Sequence, residues 1–359
     1  MGMLLGALLP TLLAATIDLA PGADLAKAIG SARAGDTIRL AAGRHEHPLG
    51  RARVPLRITG AGAGVTLVVA PAGEDGLVIE EGAAVQLEGL TLRASGPRSA
   101  LKVLGGAVRA SGVALVGGAA GAFVGGGTLE ASDVELAGQY GLLLHSGTLA
   151  VDGARARGVR AGVAQLAGTA RLGRLWVAGP FAEAGITISG GTARLEDVVI
   201  RGPGPSGLAV SGKARVEVHA LDVTGARLQE GVLGDCVQVS RAEVAIRGAT
   251  LTRCGGAAVE AFGGAVEARG IDATGGDAGC LVFVDRAEGR LQGNRCSGRG
   301  PAVVAASGGK VAASMNRWLA DPVLWVECGS GARVYLGVGE SSREPCKNTG
   351  TPLDKPRRK

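Results

Sequence analysis

"TARLEDVVIRG", residues 192 to 202, is followed by "RVEVHALDVTG", residues 215 to 225. In both, the second, fourth, seventh and ninth positions are apolar, and the positions between them are mostly polar or charged. Alternation of period two marks a half-buried strand. The phase breaks at the fifth and sixth positions, which describes a tight corner between two short strands. Between the two units lies a third short apolar stretch, "GLAVS" from 207.

The pattern extends in both directions. Upstream stand "AVQLEGLTLRA" (84 to 94), "AVRASGVALVG" (107 to 117), "TLEASDVELAG" (128 to 138), "TLAVDGARARG" (148 to 158) and "TARLGRLWVAG" (169 to 179). Downstream stand "EVAIRGATLTR" (243 to 253), "AVEARGIDATG" (265 to 275), "EGRLQGNRCSG" (288 to 298) and "KVAASMNRWLA" (310 to 320). The spacing is about 22 residues, with one longer step between Val218 and Ile246 across "GARLQEGVLGD". Three strands and three corners per repeat describe a coil of a parallel β-solenoid, which buries its inward row only by stacking on its neighbours. No stretch of ten residues keeps a helical period, and a propeller blade needs about 40 residues.

Composition agrees. The chain has 359 residues, 63 of them Gly, with 46% apolar residues and only 3% aromatic ones, so it must bury small aliphatic side chains in many thin layers. A stack of open coils needs lids at its ends. "ADLAKAIGSARAGD" supplies one: Asp24 caps a short helix whose Leu25, Ala28, Ile29 and Ala32 share a face.

The order helix, "AGDTIRLAAGRH", "VPLRITGAGAGVTLV" and then irregular coils resembles the right-handed parallel β-helix proteins of the pectate lyase-like superfamily, over residues 22 to 330. The fold expected is therefore all-β, a single-stranded right-handed parallel β-helix of about eleven coils with a short N-terminal capping helix. The superfamily hosts lyases, hydrolases, epimerases, tailspikes and adhesins, so the resemblance fixes the fold and leaves activity open. Asparagine ladders are typical of its corners. This chain has only Asn294, Asn316 and Asn348, and Gly takes the corner positions instead.

Uronate lyases of the superfamily carry acidic calcium ligands and a basic residue on one outward row. The corresponding row here reads Val78, Lys102, Phe123, Leu143, Ala164, Thr187, Ala209, Gln238, Glu260, Val282 and Val304, without an acidic cluster. "RVPLR" (53 to 57) is one residue short of the lyase pattern and reads as structural. Hydrolases need two carboxylates about 5 to 9.5 Å apart on one face. Glu80 and Glu81 point to opposite faces, and Glu196 and Asp197 lie at a corner. The best polar constellation is the fifth repeat position, Glu196, His219, Arg247 and Arg269, where acid-base work or the grip of an anionic sugar competes with an ordinary solvated charge ladder. His45 and His47 share a strand face but have no third metal ligand. No cofactor or metal is expected. Trp318, Trp325 and Tyr335 are expected to plug the C-terminal end.

The six cysteines, 236, 254, 280, 296, 328 and 346, contain no CxxC pair and read as disulfides. Cysteines 16 to 18 residues apart have travelled most of a coil, which pairs Cys236 with Cys254, Cys280 with Cys296 and Cys328 with Cys346. Cys254 with Cys280 is the rival pair if Cys296 is a buried thiol.

The apolar run from Met3 to Ala15 is too short to span a membrane and reads as a signal peptide at 1–15, although it lacks a leading Lys or Arg. The β-helix domain is placed at 16–330, with its N-terminal cap at 22–43, and a C-terminal cap and basic tail at 331–359. The net charge of +6 owes four charges to the tail "KPRRK", and without aromatic interleaving it argues against nucleic acid. A monomeric protein, secreted, periplasmic or on the cell surface and not integral to a membrane, is expected. The function expected is non-enzymatic binding of a polysaccharide or envelope polymer along the elongated face. The alternatives are a carbohydrate-active enzyme, lyase or hydrolase, and a structural or adhesive envelope protein.

Overall fold

The computed structural model describes residues 14–202, 204–226, 234–319, 324–327 and 331–337. Each coil runs through three parallel sheets in turn. Sheet 1 starts with Thr16–Leu19, Thr37–Leu40, Leu56–Thr59 and Ala84–Glu88, and ends with Lys310–Ser314 and Arg333–Leu336. Sheet 2 follows the first corner, from Gly43–Glu46 and Thr66–Val69 to Arg317–Trp318. Sheet 3 follows the second, from Arg51–Ala52 and Leu77–Ile79 to Leu324–Val326. Mid-chain, single strands such as Thr128–Leu144 and Asp235–Thr252 turn the corners without a break.

The alternation read from the sequence is the burial pattern. In Arg215–Thr224, Val216, Val218, Leu221 and Val223 are buried, while Arg215, Glu217 and His219 face outward. Stacked on the next coil, each fully buried Val or Leu contributes about 1.5–3 kcal/mol, so stability accumulates coil by coil.

The corner between sheets 1 and 2 has one cause repeated along the molecule. Its sixth-position residue has φ between 46° and 71° in every coil from Gly89 to Met315: Gly89, Gly112, Asp133, Gly153, Arg174, Asp197, Ala220, Gly248, Gly270, Gly293 and Met315. Glycine enters this left-handed conformation without a Cβ penalty, which explains its frequency there. Gly is joined by a short asparagine ladder. Asn294 accepts from Ile271 N and donates to Ala268 O and Asn316 Oδ1, at 2.9, 3.0 and 2.9 Å.

The solenoid has about fourteen turns, three more than the eleven repeats. The extra turns lie before residue 84 and after 320, where strands shorten and the 22-residue spacing is lost. The last strand of sheet 1 reaches Leu336, beyond residue 330. The helix Leu25–Ser31 forms as expected: Asp24 accepts from Lys27 N at 2.9 Å, and Leu25, Ala28 and Ile29 are buried. It does not open the fold. Thr16–Leu19 precedes it and pairs with Thr37–Leu40, leaving the helix in the sheet 3 place of the first coil, against Arg51–Ala52. Asp36 fastens this end by accepting from Ala15 N and Arg33 N, both at 2.8 Å.

The three aromatics do not plug the end together. Trp318 pairs with Cys296 in sheet 2, Trp325 with Val304 in sheet 3 and Tyr335 with Ala312 in sheet 1, so each belongs to a different wall. Cys236 is bonded to Cys254 and Cys280 to Cys296, with Cα atoms 5.3 and 6.2 Å apart. Cys328 and Cys346 lie outside the described residues, as do most of the stretch read as a signal peptide, residues 227–233 and the basic tail. No helix among the described residues is long and apolar enough to cross a membrane.

Candidate functional site

Residues two apart on a strand share a face, so the outward side of sheet 1 carries three parallel rows. The central row reads Arg109, Glu130, Ala150, Arg171, Arg194, Glu217, Ala245, Glu267, Arg290 and Ala312. On its downstream side run Glu88, Ser111, Ser132, Asp152, Gly173, Glu196, His219, Arg247 and Arg269. On its upstream side run Thr128, Thr148, Thr169 and Thr192, followed by Arg215 and Glu243.

Where Ala, Gly and Ser interrupt the long side chains, the surface sinks. One depression of about 880 Å³ lies around Ser111, Ser132, Ala150 and Gly173. A second, of about 780 Å³, includes Ala245 and Ala265, and a third of about 370 Å³ includes Ala312. The first and second share Arg171, and the second and third share Glu267 and Arg290. They follow one another along the sheet as an open trough, parted by those shared side chains, from Gln86 to Tyr335, eleven strand steps or roughly 50 Å long.

Its walls are ion pairs. Arg174 grips Asp152 through Nε and Nη2 at 2.7 and 2.5 Å, and Arg109 reaches Glu130 at 2.8 Å. Glu196 accepts from Arg194 at 2.5 Å and from Arg171 at 3.4 Å. These guanidinium hydrogen bonds hold the Asp152 and Glu196 carboxyls below the usual carboxylate range. A carboxylate held ionised is a poor general acid.

The fifth-position ladder is in register: Glu196 pairs with His219, His219 with Arg247 and Arg247 with Arg269. The side chains nevertheless form no common site. Glu196 closes on arginines, Arg269 on Glu267 at 2.5 Å, and among these four only Glu196 and Arg269 line the trough's depressions. The sheet 3 row is also continuous from Val78 through Lys102 and Glu260 to Val304. Lys102 is held by Asp75 at 2.7 Å. Arg51 and Arg53 both bind Glu80, at 2.8 and 2.6 Å, a structural clamp between coils. The imidazoles of His45 and His47 each meet a backbone carbonyl, of Ala41 and Gly22, and do not converge. Among the described residues no cluster of three or more His, Cys, Asp or Glu has a metal-binding arrangement.

One pair was missed by sequence reasoning. Asp235 is 1% exposed, accepts from Ala257 N at 2.6 Å and faces Glu260 of the next coil, itself buried. Burial pushes the Asp235 carboxyl above its usual range, against the opposing pull of hydrogen bonds from Glu260 and Ala257 N. The available signal was positional. Asp235 heads a sheet 3 strand, and the row on which it lies holds no other charged residue from Tyr140 through Ala161, Ala184 and Ser206 to Ala257 and Gly279.

These features define a right-handed parallel β-helix. No protein-family model matches the chain, and no curated protein matches it. Among solved structures it is similar to the catalytic domain of a GH87 alpha-1,3-glucanase variant in complex with tetrasaccharides, at 13% identity and TM-score 0.50, over 88% of this chain and 68% of that one. It also matches the Agl-KA catalytic domain at 10% identity and TM-score 0.36, over 87% of this chain and 64% of that one. An alginate lyase from Paenibacillus sp. str. FPU-7 matches at 15% identity and TM-score 0.24, over 89% of this chain and 99% of that one. At these identities the likeness concerns the fold.

Proposed function

We propose that this protein is an exported β-helix that holds a polysaccharide or related envelope polymer along the outward face of sheet 1. The observation carrying the reading is the continuity of the trough: three depressions share walls and follow the solenoid axis, a shape matched to an extended chain and wasted on a small molecule. Export is supported by the two disulfides and the short apolar N-terminal run.

The second reading is a carbohydrate-active enzyme. It draws on the similarity to a glucanase catalytic domain and on Asp235 with Glu260, a buried carboxyl pair that follows the longest inserted step in the chain. Purified protein incubated with neutral and acidic polysaccharides separates the two. Saturable binding without new reducing or unsaturated ends supports the first reading; release of such ends, abolished in Asp235→Asn, replaces it with the second.

A further inference from the structure

We infer that the trough takes an uncharged polysaccharide, a chain of neutral sugar units, and turns uronate polymers away. The inference rests on the proposed polymer-binding role of sheet 1 and concerns its ligand class.

The chain as a whole is cationic, with a net charge of +6, yet its trough is not. Seven arginines line the three depressions, and six of them already face a carboxylate. Arg109 pairs with Glu130, Arg171 with Glu196, Arg174 with Asp152, Arg194 with Glu196 and Glu217, Arg215 with Glu243, and Arg269 with Glu267. Arg290 is left without an ion pair within 4 Å among the described residues, and so is the carboxylate Asp197. Nine acidic residues line the same depressions, so the lining carries about two more negative than positive charges.

At six of the seven arginines an anionic chain would have to break an internal ion pair or lie beside the carboxylate that completes it, and only Arg290 stands clear of one. Like charges set side by side oppose binding, and the fields of both signs cancel along the trough. A neutral polyol meets no such conflict. A paired guanidinium keeps free N–H donors, and a paired carboxylate keeps acceptor lone pairs, in fixed positions that suit neighbouring hydroxyls. Thr169 and Thr192, which line the second depression, add hydroxyls one coil apart, with Thr192 Oγ1 and Thr169 Oγ1 at 3.3 Å.

The test is titration calorimetry of the intact protein with soluble neutral glucans, polygalacturonate and chitosan oligomers, each at low and tenfold higher salt. Neutral chains are expected to bind, with affinity changing less than about twofold with salt, because no charge pair forms on binding. Ala150→Trp, which fills the first depression, is expected to weaken that binding by roughly tenfold. Saturable binding of polygalacturonate or chitosan that collapses at high salt, with no glucan binding, overturns the neutral class and leaves the polymer-binding role standing. No binding by any of the three overturns both. Glucan binding that Ala150→Trp leaves untouched, with the variant folded by circular dichroism, removes the trough as its location.

Discussion

Glu196 and His219 are register partners on adjacent strands of sheet 1, yet the Glu196 carboxylate turns back along its own strand to accept from Arg194 Nε at 2.5 Å. Backbone register brings side chains within reach, and local charge decides which contact forms. His219 is half-exposed and is not drawn to Glu196. His219→Ala is expected to leave glycan binding unchanged and to shift stability by less than about 0.5 kcal/mol, as for an ordinary surface substitution. Loss of activity on any polysaccharide at unchanged thermal midpoint would restore it as a catalytic group.

The left-handed corner column predicts gains of stability. Ala220 holds φ at 56° and Arg174 at 46°, conformations that disfavour a Cβ by about 1–2 kcal/mol. Ala220→Gly relieves that strain, at the expense of roughly 0.5–1 kcal/mol in extra unfolded-chain entropy. A net stabilisation of about 0.5–1 kcal/mol is expected in urea unfolding. Arg174→Gly should gain less, because it also gives up the bidentate grip on Asp152.

The Asp235 carboxyl gives stability a pH dependence of known sign. Its folded-state affinity for a proton is raised by burial, so its favourable contribution is complete below the unfolded carboxyl range and fades as pH climbs through the raised value. Asp235→Asn keeps the acceptor for Ala257 N and removes the ionisation. The variant's thermal midpoint is expected to exceed the parent's increasingly from pH 4 to pH 8; a constant difference would show that the pair does not titrate in this window.

The disulfides tie successive coils near the corner between sheets 2 and 3. Their sequence separations of 18 and 16 residues correspond to about 3 kcal/mol each in the chain-entropy description. Cys236→Ser with Cys254→Ser should lower unfolding free energy by about that amount. Peptide mapping of unreduced protein is expected to find Cys280 joined to Cys296; a Cys254–Cys280 peptide would contradict this arrangement.

Much of the fold was legible because strand periodicity is local. Val216, Val218, Leu221 and Val223 state their burial by position alone, and the break at Ala220 states the corner. The first strand, Thr16–Leu19, was not legible. It has only half-buried apolar residues, and it is a strand only because Thr37–Leu40 pairs with it. The site was less legible for the same reason. The trough arises where Ala150 and Gly173 fall beside each other's coils, and the Asp235 to Glu260 contact joins residues a full coil apart, so both depend on stacking register.

On the function proposed above, the outward face of sheet 1 holds an extended polymer. Hydrogen exchange read by mass spectrometry, with and without saturating neutral glucan, tests it most directly. Slowed exchange is predicted in segments 107–117, 148–158, 169–179 and 192–202 together, at strand spacings that trace the trough. Protection confined to sheet 3 around Asp235 and Glu260, or none anywhere on sheet 1 with glucan demonstrably bound, would contradict it.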